Sequence, residues 1–204
     1  GNVSGGSNGY VGGIYGRYYI YETENYTKNC YNTGTITGGD NSRIGGIFGY
    51  VGGYVKTHTI DGCYNEGKVI GGNGCKIAGI CGLVNDYVET EKPSNTIIKN
   101  CYNTATVSTE SGATYAAGIC GQNDKNCTIT SCHNSGNISA KDHTPTFVGG
   151  IVGYNYGAIT NSYNDGTVTS GTPGGTSANY AGGITGYTNR NSTIGDCYNT
   201  GKIF

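Results

Sequence analysis

The residues able to do chemistry in this chain are nine cysteines, three histidines and thirteen carboxylates. Five of the cysteines (Cys30, Cys63, Cys101, Cys132 and Cys197) share one place in a recurring motif, and Ser162 stands there in a further copy. A small side chain at a repeated place reads as an inward-facing filler at a tight corner. Neighbouring copies would bring the Cα atoms within disulfide range, yet side chains stacked in register point the same way, a poor approach for an S–S bond. Free, buried thiols are therefore expected. Cys81 and Cys120 share a second place, one residue after a recurrent isoleucine, where they either pair or merely stack. Cys75 and Cys127 lie outside the pattern. No Cys-x-x-Cys occurs and the closest spacing is Cys127 to Cys132, so no zinc site is expected, nor any other metal or cofactor.

Catalysis needs clustered carboxylates, or a base with a metal. Here the acids are scattered over connecting segments. Of the histidines, His133 replaces a tyrosine of the repeat, while His58 and His143 lie in connections. There is no His-Glu-x-x-His and no arrangement of serine, histidine and aspartate that could form a triad. The chain reads as a protein that is not an enzyme.

Two motifs position these residues. The first is Gly/Ala-Gly-Ile-x-Gly, with its isoleucine at Ile14, Ile47, Ile80, Ile119, Ile151 and Ile184. The second is Cys-Tyr-Asn-x-Gly-x-(Val/Ile), beginning at Cys30, Cys63, Cys101, Cys132, Ser162 and Cys197. They alternate strictly, giving tandem copies of about 33 residues. Three residues before the Cys place stand Ile60, Ile98, Ile129, Ile159 and Ile194, with Thr27 in the first copy; six residues after it stand Ile36, Val69, Val107, Ile138, Val168 and Ile203. Short β-branched segments bounded by Gly, Asn and Ser, without the i, i+3, i+4 spacing of a helix, read as strands. One such strand cannot bury its aliphatic alone. Stacking equivalent strands about 4.8 Å apart does so, which predicts an all-β, parallel β-solenoid with one coil per repeat. Three short strands per coil are expected, with a flatter two-faced coil as the alternative.

The copies run approximately over residues 1–33, 34–66, 67–104, 105–135, 136–165 and 166–200, with a partial copy at 201–204, all in one solenoid. Both ends fall in the same phase of the repeat and neither reads as a cap, so further coils or domains are expected to flank them. The asparagine after the tyrosine place recurs in every copy (Asn32, Asn65, Asn103, Asn134, Asn164, Asn199) and predicts a hydrogen-bonded ladder along a corner. The glycine two residues on suits a corner with positive φ.

Beside the cysteine place stand Tyr31, Tyr64, Tyr102, His133, Tyr163 and Tyr198. If the cysteines face inward, alternation turns these rings outward. They then form a surface row that either stacks on sugars or a partner protein or simply self-stacks between coils. Isoleucine at −3 and cysteine at 0 have opposite parity in a straight strand, so a bend is required at −1, where Asn29, Gly62, Asn100, Ser131, Asn161 and Asp196 stand. The connections vary most at Leu83–Thr96, with Asp86, Glu89, Glu91 and Lys92, and at Ser170–Tyr180; function on a rigid scaffold usually sits in such loops. An ice-binding array of outward threonines, as in Thr35-Ile36-Thr37, is broken by Lys68 and Lys202.

Charged residues make up 12 % of the chain and the net charge is −1, which leaves no basic footprint for nucleic acid. The apolar runs are too short for a membrane-spanning helix, and no membrane insertion is expected. Residues Gly149–Gly157 (Gly-Gly-Ile-Val-Gly-Tyr-Asn-Tyr-Gly), followed by Ile159–Val168 (Ile-Thr-Asn-Ser-Tyr-Asn-Asp-Gly-Thr-Val), closely resemble the GLUG repeat. Both elements recur through the chain, although Gly-x-Asn-x-Gly is clear only at Gly153–Gly157. The resemblance implies a bacterial cell-surface or secreted protein, adhesin-like, with a stalk or adhesive role and no catalytic residues to carry over. Unpaired thiols then fit an anaerobic habitat. Expected partners are host or bacterial surface glycans or proteins. A carbohydrate-binding module, and a filament subunit built by end-to-end self-association, are the alternative readings.

Overall fold

In the computed structural model the described residues are 1–21, 23–53, 56–86, 95–141, 145–171 and 178–204. Every sheet in them is parallel. The first coil supplies five short strands: β1 (Val3–Gly5), β2 (Tyr10–Gly12), β3 (Tyr15–Ile20), β4 (Asn25–Lys28) and β5 (Tyr31–Asn32). Each pairs with its equivalents in later coils to make one of five six-stranded sheets. Register follows the repeat, for example Val3 on Ile36 on Val69 on Val107, and Thr27 on Ile60 on Ile98 on Ile129. The chain is a parallel β-solenoid.

Five strands per coil, rather than the three expected, follow from two breaks inside segments that look continuous. One is the glycine and isoleucine of the first motif, Gly13-Ile14 in the first coil, which separate β2 from β3. The other is the residue before the cysteine place. Asn29, Asn100, Ser131, Asn161 and Asp196 all hold φ between 49° and 54°, and Gly62 holds 66°. Asparagine and glycine enter this left-handed region at lowest cost. The bend demanded by the parity of Ile and Cys is therefore present in every copy, and it cuts β4 from β5.

The interior has two columns. Ile47, Ile80, Ile119 and Ile151 lie over one another with Ile60, Ile98, Ile129 and Ile159 and with Cys63, Cys101 and Cys132, all fully buried. The second column joins Ile36, Val69, Val107, Ile138 and Val168 to Ile44, Ile77 and Val148. In the first and last coils of this sequence Ile14 and Ile194 are each 43 % exposed. Between the columns the β3 sheet lies directly on the backbone of the β2 sheet. A Cβ on Gly49 would come 2.5 Å from the Val11 nitrogen, and one on Gly82 2.5 Å from that of Ile44. Only glycine permits that approach.

Candidate functional site

The asparagine corner is a continuous chain of hydrogen bonds. Each Nδ2 donates to the Oδ1 of the next coil: Asn32 to Asn65 (2.8 Å), Asn65 to Asn103 (2.8 Å), Asn103 to Asn134, Asn134 to Asn164 and Asn164 to Asn199 (2.7 Å each). The same Nδ2 donates a second time within its own coil, to the carbonyl two residues on, as from Asn65 to Gly67 and from Asn103 to Ala105, both 2.8 Å. From Asn65 to Asn164 both N–H bonds of each amide are thus used inside a buried corner. The glycine that follows does not adopt positive φ. Its small size matters instead because a Cβ on Gly67 would strike the Gly34 carbonyl of the preceding coil. The second glycine of the other motif is tied to the ladder as well: a Cβ on Gly79 would run into the Asn103 carboxamide. The two motifs recur together because one leaves the room that the other fills.

One residue before each ladder asparagine, Tyr31, Tyr64, Tyr102, His133, Tyr163 and Tyr198 stack as a single row. Successive ring centroids are 4.8–5.1 Å apart and successive planes are within 11° of parallel. The rings at the two ends, Tyr31 and Tyr198, are exposed, and those between are half-buried. Burial pushes the His133 pKa down, against the opposing pull of Asp165, which favours a neutral imidazole that can take a tyrosine's place in the stack. Because each face is covered by the next ring, the row presents edges and hydroxyls outward rather than open ring faces.

Behind the row the cysteines line the interior. All nine are free thiols, and only Cys30 and Cys197, in the end coils, are partly exposed. The hydrogen bond with Cys101, followed by burial, drives the Cys63 pKa upward; burial alone leads for Cys81, Cys127 and Cys75. Cys81 stacks on Cys120 in register without forming a disulfide. Thiols held protonated are poor nucleophiles and poor metal ligands. Among the described residues no group of three or more His, Cys, Asp or Glu could hold a metal. His58 is fully buried beside Tyr18 (centroids 4.7 Å apart), with Nε2 3.4 Å from Thr27 Oγ1, and burial lowers its pKa to about 4. The expectation that the long connections carry function falls largely outside the described residues, which omit 87–94, with Glu89, Glu91 and Lys92, and 172–177, as well as His143.

A second surface strip escapes the motif reading. Four residues before each motif isoleucine the β2 sheet carries Tyr10, Arg43, Lys76, Tyr115, Phe147 and Tyr180 in register. Three residues after it the β3 sheet carries Arg17, Tyr50, Leu83, Gln122, Tyr154 and Tyr187. The two files meet across the outside of the glycine contact, so Tyr10 lies edge-on to Tyr50 (5.3 Å) and Phe147 edge-on to Tyr154 (5.3 Å). The Arg17 guanidinium sits over Tyr10, Tyr19 and Tyr50 at 5.2–5.5 Å, and Lys76 Nζ over Tyr115 at 5.3 Å. The available signal was the fixed −4 and +3 offsets from the isoleucine. Residue type varies at both, so no consensus drew attention to them.

Residues 148–169 match a family model, the GLUG motif. This stretch runs from Val148 in the fifth copy through the ladder residue Asn164 to Thr169 at the start of the sixth, and it includes Gly153–Gly157, which carries the full Gly-x-Asn-x-Gly tail. Comparison with curated proteins and with solved structures gave no match. The chain is thus a repeat solenoid bearing a GLUG motif.

Proposed function

We propose that this chain is a structural and adhesive repeat module of a bacterial cell-surface or secreted protein, a stiff segment whose flanks are open to host or bacterial glycans and proteins. The observation that supports it best is the unbroken asparagine ladder. It ties every coil to the next through buried hydrogen bonds, and its rungs continue without a gap from Asn32 to Asn199. A scaffold of this kind holds its shape independently of any ligand, which is what a spacer requires. The GLUG match supports the repeat-module part, and the family resemblance supports the surface setting.

Two measurements test the reading. Immunogold labelling of intact source cells with antibody to this chain should decorate the outer surface; label that appears only after permeabilisation would remove the surface setting. Inert beads coated with the chain should adhere to cell or mucin layers more than beads coated with albumin. Equal adherence would leave a spacer without an adhesive role.

A further inference from the structure

The strip formed by the β2 and β3 sheets has the chemistry of a binding surface that the repeat itself does not need. Its first three coils carry one cation each, Arg17, Arg43 and Lys76. Arg43 and Lys76 are register partners in adjacent coils, so their backbones lie about 4.8 Å apart; their heads lie over Tyr10 (5.6 Å) and Tyr115 (5.3 Å), and burial, then the like charge of Arg43, pushes the Lys76 pKa down. Among the described residues the one ion pair is Lys99 with Asp61, at 3.5 Å, so none of the three cations touches a described carboxylate. Asp124 acts on Lys76 only at longer range. The buried Nε of Arg43 finds no acceptor, although its Nη1 donates to the Asn41 carbonyl at 3.0 Å. Like charges set side by side repel, and an anion bridging them removes that repulsion.

The next three coils change character. Tyr115, Gln122, Tyr154 and Tyr187 are neutral, amphipathic and at least partly exposed. Unlike the parallel row at the asparagine corner, Tyr115 is inclined to Tyr154 by 57° and Phe147 to Tyr154 by 82°, while Tyr154 and Tyr187 are stacked at 29°. Inclined rings turn part of their faces outward, and tyrosine combines an apolar face with a hydroxyl.

We propose that this strip binds an extended acidic polysaccharide along the solenoid axis, with uronic-acid carboxylates on Arg17, Arg43 and Lys76 and sugar faces against Tyr115, Tyr154 and Tyr187. The coil spacing of about 4.8 Å is on the scale of one pyranose unit, so successive sugars meet successive coils. A polynucleotide fits less well. A nucleotide unit is held by a cation on its phosphate together with an open ring face under its base, whereas in this strip the cations lie in the first three coils and Tyr115, Tyr154 and Tyr187 in the last three. The proposal gives the adhesive part of the function above a ligand class and a location.

The experiment is a calorimetric titration of the whole chain with an oligogalacturonate long enough to span the coils. A neutral cello-oligosaccharide of equal length and an oligo-deoxythymidine run in parallel. The uronate should bind best and weaken as salt is raised. Arg17→Gln should lose about tenfold in affinity, the worth of one charge-assisted hydrogen bond, and Arg17→Gln/Arg43→Gln more. Arg17 is exposed, so its single variant keeps the test valid if the double variant folds poorly. Tyr64→Ala/Tyr102→Ala, in the other row, should bind as the native chain does. Absence of uronate binding, unchanged affinity in Arg17→Gln, tighter binding of the oligonucleotide, or loss of binding in the Tyr64/Tyr102 variant would each overturn the proposal. None of these results would bear on surface labelling, which judges the module reading separately.

Discussion

Replacing Asn103 by alanine should cost far more than the same change at the end of the ladder. Asn103 is fully buried and accepts from Asn65 Nδ2 at 2.8 Å while donating to Asn134 Oδ1 at 2.7 Å and to the Ala105 carbonyl at 2.8 Å. Truncation leaves three groups without these partners: the carbonyl of Ala105, which lies nearer the surface, and one N–H of Asn65 and the Oδ1 of Asn134, both in a corner that water does not reach. A buried polar group left unsatisfied costs about 1–3 kcal/mol, so two of them give about 2–6 kcal/mol. Asn199 is different: it accepts only from Asn164 and lies exposed in the last coil, where water can replace it. Asn199→Ala should therefore cost about 1 kcal/mol or less. Urea unfolding followed by far-UV circular dichroism compares the two. Gly79→Ala adds a second arm. Its Cβ would meet both the Asn103 carboxamide and the Gly118 carbonyl, so it should be destabilising in the native chain and less so in Asn103→Ala, where one of the two obstacles is gone. Equal losses for Asn103→Ala and Asn199→Ala, or additive effects of Gly79→Ala and Asn103→Ala, would refute the argument that the amide column and the glycine turn are one packed unit.

Two further predictions concern titration and access. His58 is neutral when folded, its pKa lowered from 6.5 to about 4 by burial. Above the unfolded value its protonation favours neither state. As pH falls below it, the unfolded chain takes up a proton that the folded chain refuses. Stability then drops until the folded value is reached, by about 3 kcal/mol in total. Unfolding curves across that window should show the loss in the native chain and not in His58→Gln; parallel pH profiles would exclude His58 as its source. For the thiols, an aromatic disulfide reagent should label Cys30 and Cys197 promptly in the folded chain and the seven buried cysteines only on unfolding. Labelling of Cys63 or Cys101 at the rate of Cys30 would contradict a closed interior.

The outward row and the bend that produces it illustrate how far residue spacing reaches. Opposite parity of Ile60 and Cys63 cannot be reconciled in a straight strand, and the small or turn-forming residues at −1 left one place for the chain to turn; their φ values lie where that reasoning requires. The ladder was legible for a similar reason, since an amide repeated in every coil has its own copies as nearest partners. The strip of Arg17, Arg43, Lys76 and Tyr154 was not legible. No single residue type runs through its members, and they become neighbours only because the β2 and β3 sheets fold back on one another through glycine.

Periodicity alone determined the parallel solenoid, the buried aliphatic columns and the coil length, because identical residues at a fixed interval have one arrangement that buries them all. The tertiary structure decided the number of strands per coil, the role of the glycine after each asparagine and which aromatic rings keep open faces. Those depend on distances between different positions of one coil, and a repeat pattern records only the relation of each position to its own copies.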